Sequence, residues 1–291
     1  MRVTERMIHR GVVDEIHGHQ AAMAKLQQQI ASGQRLTGLS EEPIDAARSI
    51  RLRAAAAGLD QYKKNTQEAL AWMNATLGGL GRVREVLQEA RLDALQGGTD
   101  STPPESRQAL AETVARLRES LVELGNSKWE DASLFGGHAT TATPFAPDGT
   151  YRGDTGAIGR DIAPGETTTV NYNGDEVFRS GTNLFAALDN LETALRNNDP
   201  AAVRAAVPAL DAGIGKILRF EASLGAETER VALTRSRLDE MSVTLAQRRS
   251  ENDDTDMAQA AVDLQNENNV YEASLAASAR LFGASLLDFL K

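Results

Sequence analysis

The stretch from Met257 to Lys291 contains no proline and a single glycine, Gly283, and its larger apolar residues recur at spacings of three, four and seven. Met257, Leu264 and Tyr271 form one heptad row; Ala261, Leu275, Phe282 and Phe289 form another. Rows of this period fall along one side of a helix and leave an apolar stripe that a lone helix cannot cover. The stripe needs a partner helix, and a matching pattern stands at the opposite end of the chain. There Ile16, Met23 and Ile30 make one heptad row, with Val12 and Leu26 in the alternate row. The two ends are expected to pair and to carry everything between them on a helical stem. Val12, Ile16, Met23, Leu26, Ile30, Leu264, Tyr271, Leu275, Phe282, Phe289 and Leu290 are the residues expected to form an assembly interface. The same rows would also serve as the core of an isolated bundle.

Between the ends the pattern stays helical for long runs. Thr4 to Gln29 has helical spacing, and Ser32-Gly33 is the expected stop, glycine being the usual residue past a helix end. A loop over 34–42 leads to Pro43, placed at a first helical position. From Ile44 to about Gln96 one stripe persists through Leu70, Met73, Leu77, Leu80, Val83 and Leu87, with Gly78, Gly79 and Gly81 marking an expected bend or break. Ile50, Ala54, Ala57, Tyr62 and Leu95 continue that stripe. After a turn at 97–104, a helix from Glu105 to about Leu124 should fold back antiparallel. Helix returns over Asn183 to Asn197 and Pro200 to Gln247, with Pro208 expected to split off a short piece. Leu210, Ile217, Leu224, Val231, Leu238 and Leu245 keep heptad spacing, with Ile214 in the alternate row, a sustained coiled-coil signal. The acidic run Glu251 to Asp256 reads as a flexible joint, with Asp254 or Thr255 capping the last helix.

Residues 126–181 differ, being rich in Gly, Thr, Pro, Asp and Asn. Thr167 to Val170 and Val177 to Phe178 read as short strands, and Asn173-Gly174 as a hairpin turn. The expected fold is mainly α: a nested antiparallel rod of long-helix coiled coil or bundle, with a small inserted β-domain at its tip. Its divisions are a terminal coiled-coil domain (1–40 and 255–291), a helical rod domain (41–125 and 183–254) and a β-rich tip domain (126–182).

Charge and composition close off several functions. A net charge of −10 offers no basic face for nucleic acid. No apolar run reaches the roughly 18 residues of a membrane span, so no membrane insertion is expected. Met1 to Arg10 lacks the apolar core of a cleaved signal peptide. The absence of cysteine removes disulfides, thiol nucleophiles and thiolate metal ligands. His17 and His19 point to different sides of a helix and do not share an ion. Glu251 to Asp256 lacks the glycine and bidentate glutamate of a calcium loop. Gly213-Ile214-Gly215-Lys216 lacks the strand and spacing of a phosphate loop. No catalytic residues, cofactor or metal are expected, and the chain reads as a non-enzyme. A ligand-binding or hydrolytic role would have to sit in residues 126–181, which look too short and histidine-poor to host one.

Specific residues also carry a family likeness. Gln29-Ile30-Ala31-Ser32-Gly33-Gln34-Arg35-Leu36, followed by Ser40-Glu41-Glu42-Pro43-Ile44-Asp45-Ala46-Ala47, resembles the N-terminal pattern of the bacterial flagellin family, with Glu-Glu where Asp-Asp is usual. Tyr151-Arg152-Gly153-Asp154, Gly174-Asp175-Glu176-Val177-Phe178, Asp254-Thr255-Asp256-Met257-Ala258 and the ending Ser285-Leu286-Leu287-Asp288-Phe289-Leu290 are similar to the branch found at the hook–filament junction. That resemblance implies a structural adapter of the flagellum. A ring of copies would join hook-associated protein 1 on the hook to the flagellin filament. It would be secreted unfolded through the flagellar export channel and held beforehand by a cytoplasmic export chaperone. Filament-forming flagellin is the alternative within the family.

Overall fold

The computed structural model describes residues 2–36, 38 and 42–289. Among them lie α1 (Arg2–Ser32), α2 (Pro43–Gly97), α3 (Pro104–Gly125), α4 (Leu184–Arg196), α5 (Pro200–Asp253) and α6 (Met257–Phe289). Four short strands, β1 (Lys128–Trp129), β2 (Ala132–Ser133), β3 (Gly159–Ala163) and β4 (Glu166–Thr169), lie between α3 and α4. The predicted mainly helical fold with a small β insert is the fold observed. Contacts gather the chain into two compact units, Met1–Gly58 with Met241–Lys291, and Leu59–Glu240.

In the Leu59–Glu240 unit, α2 and α5 run antiparallel. Lys63 pairs with Asp239 at 2.7 Å, Arg84 with Glu221 at 3.2 Å and Arg91 with Asp211 at 2.5 Å. The heptad row read from α5 is buried as a row: Leu210, Ile217, Leu224, Val231 and Leu238 are all at or below 2% exposure. Facing it, α2 buries Met73, Val83, Leu80 and Leu87, and each such side chain stabilises by about 1.5–3 kcal/mol. Ile50 and Leu95, assigned to the α2 stripe, instead stand more than 45% exposed. The straight helix drifts against a strict seven-residue repeat, so the ends of a long row leave the packed side. α3 lies antiparallel along α4, with Arg118 on Asp189 and Arg107 donating to Asn198 Oδ1 at 2.6 Å. Arg107 also donates to the carbonyls of Gly97 and Thr99, which ties down the α2–α3 turn.

Three local expectations are corrected. α2 runs unbroken through Gly78, Gly79 and Gly81, because Leu77, Leu80 and Val83, interleaved with them, pack into the core. α5 runs unbroken through Pro208. The proline removes one backbone donor, a cost of about 3 kcal/mol, but Val203, Ala206 and Leu210 are buried around it and hold the helix together. The last helix is capped by Asp256, whose Oδ1 accepts from the amides of Ala258 and Gln259, rather than by Asp254 or Thr255.

The insert is held by rings more than by strands. β3 and β4 pair antiparallel with a bulge between Asp161 and Ala163, around a turn where Gly165 has φ +74°. Val177 and Phe178 are not a strand; they lie in a wide helical turn over Asp175–Arg179, capped by Asn173 through its Oδ1 on the Glu176 amide. Both are fully buried, which a strand with alternating faces would not allow. Phe145 sits at the centre, with ring centroids 5.1 Å from Phe178, 5.3 Å from Phe185 and 5.2 Å from Tyr151. Four of the seven phenylalanines meet here, Phe135 completing the set.

Candidate functional site: the terminal helix pair and its polar clasp

α1 and α6 run antiparallel in the unit formed by both chain ends. Backbone contact begins where Thr255 N donates to Gly33 O at 2.9 Å, and further along Gln20 Nε2 donates to the Tyr271 hydroxyl at 2.9 Å. Val12, Ile16, Met23, Leu26 and Ile30 on α1 are half-buried, as are Leu264 and Tyr271 on α6. Leu275 is 41% exposed and lies beside the seam rather than in it. The backbone of Phe282 and Phe289 belongs to α6, while their side chains, and Leu290 altogether, lie outside the described residues.

The seam uses α6 positions that apolar reading passed over. Ala260 and Ser278 are buried, and Glu267 meets His19 Nδ1 at 2.6 Å. With Leu264, Tyr271 and Ser274 these positions alternate steps of four and three, the spacing of a two-helix seam. Small and polar seam residues give no hydrophobic signal in the sequence, which is why they were missed. Elsewhere on α6, Met257 and Val262 are about half exposed, as is Val270. The pair therefore covers one side of α6 and leaves other apolar side chains open.

At the inner end of the pair stands a dense polar cluster. Arg35 donates to Glu42, to Asp45 Oδ2 at 3.0 Å and to the Asn252 carbonyl at 3.0 Å. Its own amide donates to the Asp253 carbonyl at 2.7 Å, and its carbonyl accepts from Gln29 Nε2 at 2.7 Å. The Asp253 carboxylate, 8% exposed, accepts from Ser49 Oγ at 2.8 Å, Asn252 Nδ2 at 2.9 Å and Arg53 Nη2 at 3.3 Å. Asn252 Nδ2 also reaches the Asp45 carbonyl at 3.1 Å. Gln34 and Asp254 form a single antiparallel bridge. This clasp joins the end of α1, the start of α2 and the end of α5. The sequence flagged Gly33 to Arg35 and Glu42 to Asp45 as a motif and Glu251 to Asp256 as acidic, without showing that the two meet.

The electrostatics of the clasp set a pH dependence. Burial alone would raise the Asp253 carboxyl, but hydrogen bonds from Asn252, Ser49 and Arg53 outweigh it and hold the group below its ordinary range. The Arg35 guanidinium likewise holds Asp45 low. A carboxyl depressed in the folded state stabilises above its unfolded value, near 3.9, and loses that contribution as pH falls through the folded value. Asp253→Asn is therefore expected to cost about 1.5–3 kcal/mol near neutral pH, the range for hydrogen bonds to a charged group. The gap to the parent should begin to shrink as pH falls below the unfolded value, near 3.9, and close towards the lower folded value at which the parent also loses the charge. Thermal melts of both proteins between pH 3 and 7 check this; a gap independent of pH would contradict it.

Among the described residues no group of three or more His, Asp or Glu side chains is placed to hold a metal ion. The Arg35, Ser49, Arg53 and Asn252 side chains each donate to a carboxylate or carbonyl of the same chain, whereas the buried Thr255 Oγ1 has no hydrogen-bond partner among the described residues.

Comparison with known proteins bears on what such a pair is for. Residues 7–140 match the family described as the bacterial flagellin N-terminal helical region, and residues 207–290 its C-terminal helical region. The flagellar hook-associated protein 3 of Salmonella typhimurium is 26% identical over 212 residues, covering 67% of each chain. The flagellin of Halalkalibacterium halodurans is 25% identical over 272 residues, covering 94% of this chain and 91% of its own. The crystal structure of Bacillus cereus FlgL superposes with a TM-score of 0.62 at 20% identity, over 69% of this chain and 99% of that one, which is a likeness of fold.

Proposed function

This chain belongs to the bacterial flagellin family, and from that membership we propose that it is the structural adapter joining the flagellar hook to the filament. The observation that carries the reading is the terminal pair, in which α6 buries one side against α1 and keeps Val262 and Val270 about half exposed. A surface of that kind is satisfied by neighbouring copies. Burying it contributes about 25 cal/mol per Å² of apolar area, which offsets the ordering of long helices that are marginal alone. The proposed interface comprises Val12, Ile16, Met23, Leu26, Ile30, Leu264, Tyr271, Leu275, Phe282, Phe289 and Leu290. In functional terms the chain divides into 1–40 with 255–291 for assembly, 41–125 with 183–254 for the helical rod, and 126–182 for the tip.

The partners that fit are further copies in a ring, hook-associated protein 1 on the hook side and flagellin on the filament side. A cytoplasmic export chaperone holds the chain before it passes unfolded through the export channel to its extracellular site. The role is structural, without catalysis. Flagellin itself is the second reading, favoured by the length of the match to a flagellin. The two separate in a simple test. Cells lacking this gene should build hooks, release flagellin into the medium and carry no attached filaments. The purified protein should not polymerise into long filaments under the electron microscope. Firmly attached filaments in the deletion strain would refute the adapter role, and long filaments of the pure protein would establish the flagellin reading instead.

A further inference from the structure

We propose that the clasp around Arg35 and Asp253, rather than the apolar seam, sets the axial register of α1 against α6. The seam is permissive. Its rows repeat every seven residues, with Ile16, Met23 and Ile30 on α1 and Leu264, Tyr271 and Ser278 on α6. A slip of one heptad moves one helix about 10 Å along the other and still sets apolar or small groups against each other. Side-chain contacts made in the observed register include His19 with Glu267 and Gln20 with Tyr271. Covalent length does not fix register either. Ten residues, 33–42, separate α1 from α2, and extended they would span roughly 33 Å, several times one heptad step.

The clasp removes that freedom. α6 follows α5 after only residues 254–256, so its start is tied to the end of α5. At that point the chain leaving α1 is bonded by backbone groups on both sides: Arg35 N to Asp253 O, Thr255 N to Gly33 O, and the bridge of Gln34 with Asp254. The Arg35 guanidinium then locks the same segment to Asp45 and to the Asn252 carbonyl, and Asp253 is itself held by Ser49 and Arg53 from α2. None of these bonds has an equivalent seven residues away, because they need a planar fork, a buried carboxylate and a positive-φ glycine, Gly33 at φ +68°, in one place. Arg35 and Asp253 are positioning residues for the helix pair.

The absence of cysteine allows a clean test on the purified full-length chain, independent of any flagellar role. Glu15→Cys and Glu272→Cys, both at exposed positions, accept nitroxide labels whose separation is read by pulsed electron resonance. The parent should give one narrow distance distribution. In Arg35→Ala/Asp253→Ala a second defined component should appear, from an axial step of about 10 Å, with the native register falling roughly twofold in population. Arg35→Lys, which keeps the charge and loses the fork, should restore part of the native component. Asp253→Asn serves with the same readout if the double variant is insoluble, and an unchanged melt of the Leu59–Glu240 unit confirms that the change is local. A single native distribution retained in the variants overturns the proposal. So does a featureless spread in the variants, which would make the clasp a source of pairing rather than of register. A parent without one narrow distribution also overturns it.

Discussion

Removing residues 1–40 and 255–291 together is expected to reduce filament attachment to the level of the gene deletion while the Leu59–Glu240 unit stays folded. That unit has its own core, from Met73 and Leu80 on α2 to Ile217 and Val231 on α5, and none of it comes from the removed segments. The removed segments are held by less. Their seam residues are half-buried, and the fully buried members at the described positions are small or polar, such as Ala260, Ser278 and Gln29. Few buried apolar contacts mean low-energy local opening. In the intact monomer, limited proteolysis should therefore trim back to about Ser40 and Asp254 at least about tenfold faster than it cuts the centre, equivalent to an opening free energy lower by roughly 1.4 kcal/mol. Complementation of the deletion strain, filament counts by electron microscopy and a thermal melt of the truncated chain measure both halves of the prediction. Attached filaments with the truncated chain, or termini as resistant as the centre, would end the adapter reading.

The largest effect of a single substitution is expected at Phe145. Its ring touches Phe178, Phe185 and Tyr151, and it is 1% exposed. Phe145→Ala should destabilise the Leu59–Glu240 unit by about 3–5 kcal/mol, the usual cost of emptying a fully buried aromatic site. For a unit of this size that corresponds to a fall in melting temperature on the order of 10 °C. Leu233→Ala, at a position 61% exposed, should change stability by no more than about 0.5 kcal/mol. The glycines around the ring give an independent check. A Cβ at Gly125 or at Gly174 would stand 2.7 Å from the Phe145 ring. Gly174→Ala should therefore destabilise the same unit although it adds a single methyl group. Differential scanning calorimetry on the three variants decides the matter, and a Phe145→Ala protein melting within a degree or two of the parent would show that the rings do not hold the insert.

Sequence periodicity was informative where packing is repetitive. Leu210 to Leu238 could be read as a buried row because one helix presents the same side to its neighbours over four heptad steps. The pairing of the two chain ends was legible for the same reason, and the flagellin-like motifs around Arg35 and Asp45 located a site without explaining it. What escaped was contact between distant segments through groups without apolar signal. Asp253 lies 204 residues from Ser49 and 218 from Arg35, and nothing local in an acidic run distinguishes a solvated joint from a buried carboxylate. Val177 and Phe178 looked like a strand by composition and became a turn because a ring cluster needed both side chains inside.

By itself, then, the amino-acid order determined which segments are helical, which sides of them are apolar and that the termini seek each other, since these follow from a spacing of about 3.6 residues and the exclusion of apolar surface from water. Only the tertiary structure decided where Asp253 finds its donors, which rings fill the insert and which α6 side chains remain open. Those outcomes depend on the distance and direction between groups far apart in the chain, and a hydrogen bond or a ring contact exists only once that geometry has been fixed.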